Sequence, residues 1–208
     1  MSTILSIDIG IKHMALVTIN VCPDTCSLEV VNVELVDLTC VPCLPGCALP
    51  HTKNMVDRME HLFAWYAGMF EEADEVLVES QPPGGLCHVE ALVHSKFRGK
   101  SVLVSPTAMH HHFHLPRGDY DGRKTATEAL AAPYLTAFQA KIGSMPRAHD
   151  IADAVCLCLF VVQKRHRQKL VRIAANDKLA RLALLRAHDN PDNPFSKFAL
   201  SAASARCS

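Results

Sequence analysis

Residues 2–10 read STILSIDIG. Leu5, Ile7 and Ile9 make this an apolar strand, and Gly10 permits a tight turn directly after it. Asp8 is the anomaly. A carboxylate in such a strand is costly unless it is paired or binds a metal. Glu79 repeats the problem at the end of DEVLVE, residues 74–79, after Val76, Leu77 and Val78. Asp150 and Asp153 lie three residues apart in HDIADAVCLCLF, residues 149–160, an apolar helix. Positions three apart on a helix share a face. If the first strand lies beside the one ending at Glu79, all four acids can converge at one sheet end. Alone, each has an ordinary reading: Asp8 as a turn residue, Asp150 as a helix cap, Glu79 as the partner of a lysine. Together they describe a divalent-metal site.

The physics of crowding supports that reading. At an effective dielectric near 20, each carboxylate pair 4 Å apart costs about 4 kcal/mol. Protonation relieves this, and a hard cation relieves it better. Two Mg²⁺ ions held by such acids can promote phosphodiester hydrolysis.

Around these residues the elements alternate. Residues 3–9, 13–20 and 28–38 read as three antiparallel strands. The Pro-, Cys- and Gly-rich stretch 39–51 is a loop, and 54–70 has the apolar spacing of an amphipathic helix. A strand ends at Glu79, a helix is expected over 86–97, and 101–105 form a short strand stopped by Pro106. Residues 123–142 are helix-prone but interrupted at Pro133. A helix over 149–164 follows, then a basic amphipathic helix, or a broken pair, over 168–187. The expected fold is α/β: a ribonuclease H-like mixed five-stranded sheet, three antiparallel strands then parallel ones, with helices on both faces. The expected domain is 1–188, with a loose tail over 189–208.

The 208 residues suit one domain, and a 49% hydrophobic content can fill its core. No run approaches the roughly 18 apolar residues of a membrane span. MSTILSIDIG reads as a strand and not as a signal peptide, so an intracellular protein without a membrane partner is expected. Net charge is zero, but residues 1–100 carry 6 basic and 13 acidic side chains while 101–208 carry 15 and 8. A basic half can attract phosphate although the whole is neutral. The densest run is KRHRQKLVR, with Lys164, Arg165 and Arg167, whose ordinary reading is a solvated helix face.

Of nine cysteines, Cys156 and Cys158 fall in the apolar helix and are expected to be reduced. Cys22, Cys26, Cys40, Cys43 and Cys47 are loop residues. The spacing in CVPCLPGC can bind zinc, but no second ligand pair stands at a standard finger spacing, so free thiols are expected there. The tract HHHFH (His110, His111, His112, His114) reads as a polar loop, its spacing matching no standard metal site.

SIDIGIKHMALV resembles the first-strand motif of the RuvC-like Holliday junction resolvases, in the branch holding the poxvirus, iridovirus and fungal mitochondrial enzymes. VLVESQP resembles their second motif, HDIADAVCLCL their last, and GRKTATEAL the basic stretch before the last helix. The resemblance spans about residues 3–160; the Cys-rich stretch 39–47 is foreign to it. It implies a homodimer that binds four-way DNA junctions and nicks two symmetry-related strands with Mg²⁺, or Mn²⁺ in its place. It implies metal ligation by Asp8, Glu79, Asp150 and Asp153, with Asp8 shared between two ions. It places Lys124 at the scissile phosphate as a catalytic residue. Arg123 and Lys12 are candidate DNA contacts, although a lysine in a turn is ordinarily just solvated. If the source is viral, the compartment is the host cytoplasm or nucleus.

Three rivals remain. An actin-like ATPase also begins with an Asp-x-Gly strand–turn, but needs Ser or Thr in that turn and Gly-rich phosphate loops that this chain lacks. Another ribonuclease H-like nuclease, acting on RNA–DNA hybrids or non-junction DNA, would use the same acids. A non-catalytic DNA-binding module would gain nothing from four acids near phosphates.

Overall fold

The computed structural model describes residues 1–116 and 118–188, with the backbone alone over 183–188. The chain divides into two units, Met1–Gln163 and the residues from Lys164 on.

The first unit is built on one five-stranded sheet. Its strands are β1 (Ser2–Asp8), β2 (Met14–Val21), β3 (Leu28–Val36), β4 (Glu75–Glu79) and β5 (Ser101–Val104), in the order β3-β2-β1-β4-β5. β1–β2 and β2–β3 pair antiparallel, and β1–β4 and β4–β5 pair parallel. This is the expected ribonuclease H-like mixed sheet. The β1–β2 turn demands glycine: a Cβ on Gly10 would lie 2.5 Å from the His13 carbonyl oxygen.

Side-chain alternation along β1 sends Leu5, Ile7 and Ile9 to one face and Ile4, Ser6 and Asp8 to the other. The first set packs with Val76, Val78, Met59, Leu62, Phe70, Val89 and Val93. These come from α1 (Met55–Trp65), α2 (Ala67–Glu72) and α3 (Cys87–Lys96) as well as β4. Ile4 and Leu77 pack instead with Ile151, Val155, Cys158 and Val162 of α7 (Ala148–His188) and with Met109 and Ala131. Those last two belong to α4 (Pro106–His112) and α5 (Tyr120–Ala131). Helices thus cover both faces, which is why β1, β2 and β4 read as uniformly apolar.

Three expectations about helices are corrected. The single helix expected over 54–70 is two, separated at Tyr66. The histidine tract is not a loop: Ser105 caps α4 by accepting from the Ala108 amide, Pro106 opens it, and His110, His111 and His112 form its last turn. Only His114 lies beyond, in the left-handed region at φ 54°. A serine followed by proline is a helix-start signal as well as a strand stop, and here it is both. Third, the basic segment takes the unbroken of its two expected forms, and the helices expected separately over 149–164 and 168–187 are one, since α7 is helical over 41 residues. Its part up to Gln163 belongs to the first unit.

The interruption at Pro133 is as expected. α5 stops at Ala131, two 3₁₀ turns follow (Ala132–Tyr134 and Thr136–Phe138), and α6 (Gln139–Gly143) closes the segment. The described part of the second unit is the remainder of α7, which exposes Lys164, Arg165 and Arg167 with Leu170, Val171 and Ile173. The expected tail, 189–208, lies outside the described residues. Among the described residues, no helix is long and apolar enough to cross a membrane.

Candidate metal-dependent active site

Sheet register decides where the acids go. Ile7 pairs with Val78 across β1 and β4, so Asp8 and Glu79 follow side by side at the ends of two parallel strands. Both project toward α7, because Ser6 and Leu77 two residues earlier face it. The Ser6 hydroxyl donates to the Ala154 carbonyl at 2.6 Å, a buried bond that sets the depth of α7 against β1. One residue earlier along the helix is Asp153, and one turn earlier is Asp150. Carboxylate oxygens of Asp8, Asp150 and Asp153 lie within 4.8 Å of one another. Residues remote in sequence therefore meet as expected. Glu79 joins from the side: it hydrogen-bonds Asp8 and lies outside that tightest group of three.

The group walls a cavity of about 240 Å³, lined also by Ile9, Met109, His110, Tyr120, Arg123 and Lys124. Asp150 is buried, at 4% exposure. Burial is the main reason the Asp8 carboxyl lies well above the usual carboxylate range, with Glu79, Asp153 and Asp150 adding their repulsion. Burial also raises Glu79, against hydrogen bonds from Asp8, Gln81 and the Ile9 amide. The Gln81 side-chain amide donates to Glu79 at 2.6 Å, which accounts for the glutamine two residues beyond the strand acid.

Cations press on the other side of the cluster. Lys124 pairs closely with Asp153 and reaches Asp150 at 3.5 Å. Burial by itself would lower its ammonium; the attraction of Asp153, with Asp8 and Asp150 behind it, reverses that and holds it above its ordinary value. Arg147 approaches the other Asp150 oxygen at 3.0 Å, and His149 lies 3.2 Å from Asp150. The Asp8–Glu79 pair has no such neighbour within ion-pair distance among the described residues. With all four acids ionised, their charge exceeds what Lys124, Arg123 and Arg147 in the same cavity offset, so the ionised state calls for a further cation. Hard oxygen donors converging in that state suit Mg²⁺ or Mn²⁺, so the residues present fit a divalent metal.

The expected DNA contacts divide. Arg123 lines the cavity, its guanidinium 5.5 Å from the centre of the Tyr120 ring. Lys12 is exposed in the β1–β2 turn, where its charge acts on Asp37. Lys164, Arg165 and Arg167 lie in the second unit. His110, expected in a polar loop, lines the cavity instead; Tyr120 and Arg147 also line it, and His149 lies beside Asp150, without any local sequence signal having pointed to these three as site residues. Burial lowers the His110 imidazole, and Arg123 adds to the effect.

Cys156 confirms the reading of the helical thiols: it is fully buried, burial pushes it up to about 12, and all eight described cysteines are free.

No protein-family model matches the chain, and no curated protein matches it by sequence. Solved structures do. The fowlpox virus resolvase, solved in complex with substrate Holliday junction DNA, aligns over 78% of this chain and 97% of its own at 19% identity, with a TM-score of 0.57. The yeast mitochondrial Holliday junction resolvase aligns over 85% of this chain and 86% of its own at 15% identity, with a TM-score of 0.63. A sheet of order β3-β2-β1-β4-β5, clad by helices on both faces, and the alignment of these two structures over most of the chain give it the fold of the RuvC-like Holliday junction resolvases.

Proposed function

We propose that the chain is a structure-selective endodeoxyribonuclease that resolves four-way DNA junctions by metal-dependent phosphodiester hydrolysis. One observation carries the reading: oxygens of Asp8, Asp150 and Asp153 gather within 4.8 Å at the sheet end, with Glu79 bonded to Asp8. A non-catalytic binding module has no use for such a cluster, which repels phosphate.

In this reading Asp8, Asp150, Asp153 and Glu79 hold Mg²⁺, with Mn²⁺ able to replace it. When bound, the metal supplies Lewis-acid stabilisation of the phosphoryl oxygens and lowers the pKa of an attacking water. The protein's own residues do the rest. Gln81 fixes the Glu79 carboxylate, and Arg147 fixes Asp150. Lys124 neutralises Asp153 and Asp150 in the metal-free protein; once these acids are otherwise engaged, its ammonium is released toward the scissile phosphate. Arg123, beside it on α5, holds the DNA backbone. Water is the nucleophile, so no covalent enzyme–DNA intermediate forms. Cleavage of two strands of a near-twofold junction calls for two copies of the site, supplied by a homodimer.

The test is cleavage of a synthetic four-way junction, a plain duplex and an RNA–DNA hybrid, each with and without Mg²⁺. Paired nicks at the junction, dependent on Mg²⁺, are expected. Preference for the hybrid would move the chain to another branch of ribonuclease H-like nucleases. Cleavage of none of the three would remove the enzymatic reading.

A further inference from the structure

On the opposite face of the sheet from α7, the loop between β3 and α1 carries CVPCLPGCALPH, residues 40–51. It has no regular structure over 40–51. Cys43, Cys47 and His51 follow one another at intervals of four along it, and His61 comes from α1. One ligand atom from each of the four lies within 4.8 Å of the others. The Cys43 sulfur is 3.6 Å from His51 Nε2 and 3.8 Å from His61 Nδ1, and the Cys47 sulfur is 3.7 Å from His61 Nδ1. With Zn–S near 2.3 Å and Zn–N near 2.05 Å, a tetrahedral ion sets sulfur and nitrogen about 3.6 Å apart. The three observed separations match that edge.

Two further contacts have the character of outer-shell support. His61 Nε2 lies 3.2 Å from the Pro50 carbonyl oxygen. A proton donated there leaves Nδ1, the atom facing both sulfurs, with its lone pair free to ligate. The Leu49 amide donates to the Cys47 sulfur at 3.4 Å, as an amide does to a ligating thiolate. A plain thiol–imidazole hydrogen bond does not explain the cluster, since one Nδ1 faces two sulfurs almost equally. Cys22, Cys26 and Cys40 do not join it.

We propose that Cys43, Cys47, His51 and His61 bind one zinc ion in a closed, structural site that ties the β3–α1 loop to α1. Four protein ligands leave no open position, so the ion does no chemistry. Its effect is mechanical. Leu44, Pro45 and Leu49 of the loop wall a groove of about 520 Å³ whose other side is Phe63, Phe70 and Phe97. A clip at Cys43 and Cys47 holds the loop over those rings and removes conformational freedom from a segment with no helix or strand, whose one internal backbone bond closes the Leu44–Cys47 turn. The site is chemically unlike the acid cluster: soft sulfur and imidazole select zinc, hard oxygen selects Mg²⁺.

Metal analysis of the untagged full chain tests the proposal, with cobalt substitution as a second reading. About one zinc per chain is expected, and cobalt in its place should give the visible absorption of a tetrahedral ion and a thiolate charge-transfer band. Replacing Cys43 and Cys47 together by serine should abolish both signals, whereas Cys87→Ser and Asp153→Asn should leave them unchanged. His51→Cys should keep the ion, because three thiolates and one histidine also hold zinc. Less than about a tenth of an equivalent in the wild-type chain, with no thiolate band from cobalt, would overturn the site. So would full zinc content in the double serine variant, or a Cys43–Cys47 disulfide in the native protein. If the serine variant fails to fold, the wild-type zinc content and cobalt spectrum still decide.

Discussion

The two ligand clusters are built by opposite strategies. The acid cluster takes residues 8, 79, 150 and 153 from two strand ends and a helix, and the sheet register brings them together. The Cys/His cluster takes residues 43, 47, 51 and 61 from one loop and the helix that follows it. The first is rigidly scaffolded and electrostatically frustrated, with Lys124 as its partial counter-ion. The second carries no charge while its thiols keep their protons and its imidazoles are neutral, and it sits on backbone with little order of its own. A rigid frame can hold like charges close enough to await a cation. A loop cannot, and must be organised by the ion it binds.

The sharpest way to break this contrast is Asp8→Asn. It should lower junction cleavage by about a thousand-fold or more while leaving junction binding intact, as read by single-turnover assays beside gel shifts. Retained cutting would take Asp8 out of the catalytic set.

Next in size is Lys124→Ala, expected to slow cleavage by roughly a hundred-fold. Because Asp153 and Asp150 then lose a partner, the metal-free protein should also melt lower, and Mg²⁺ should recover more of the loss than it adds to wild type. An unchanged metal-free Tm would mean that Lys124 does not act as a counter-ion.

The frustration also has a pH signature. Asp8 and Glu79 are raised in the folded state, so above the ordinary carboxylate pKa of about 4 the folded protein binds more protons than the unfolded one. Stability of the metal-free protein should therefore fall as pH rises from there through the raised values. Mg²⁺ competes with those protons, so its stabilising shift in Tm should be larger near pH 8 than near pH 5. A shift that is the same at both would contradict the crowded-acid picture.

Neutralising Lys164, Arg165 and Arg167 in the second unit should weaken DNA binding and flatten its salt dependence, by roughly 0.9 in slope for each phosphate no longer neutralised. An unchanged slope would leave that run a solvated helix face. The smallest effect belongs to Ser6→Ala, which removes the bond to Ala154 and should cost about 1 kcal/mol in denaturant unfolding. Cleavage should fall with it only if the depth of α7 positions Asp153.

Legibility followed the periodicities. β1, β4 and α7 could be read because their patterns are long, apolar and regular, and their acids stood out against that background. α4 was missed because seven residues, three of them histidine, carry no apolar period, although Ser105-Pro106 announced its start. Arg147 and His110 were missed because nothing local marks a side chain whose partner is set by packing. The second metal cluster was half read: the cysteines were seen, but His51 and His61 were not joined to them. Intervals of four, four and ten match no common finger, and a helix was needed to aim His61 back at the loop.

By itself the sequence determined the five strands and the longer helices, that both sheet faces are covered, and which acids sit where an acid is costly. These follow from local periodicity and from the penalty for burying charge. Only the tertiary structure decided that Glu79 reaches the site through Asp8, that Lys124 and Arg147 neutralise the helix acids, and that two histidines complete a thiol pair. Those outcomes depend on strand register and on the depth at which α7 and α1 pack, and side chains tens of residues apart carry no local mark of either.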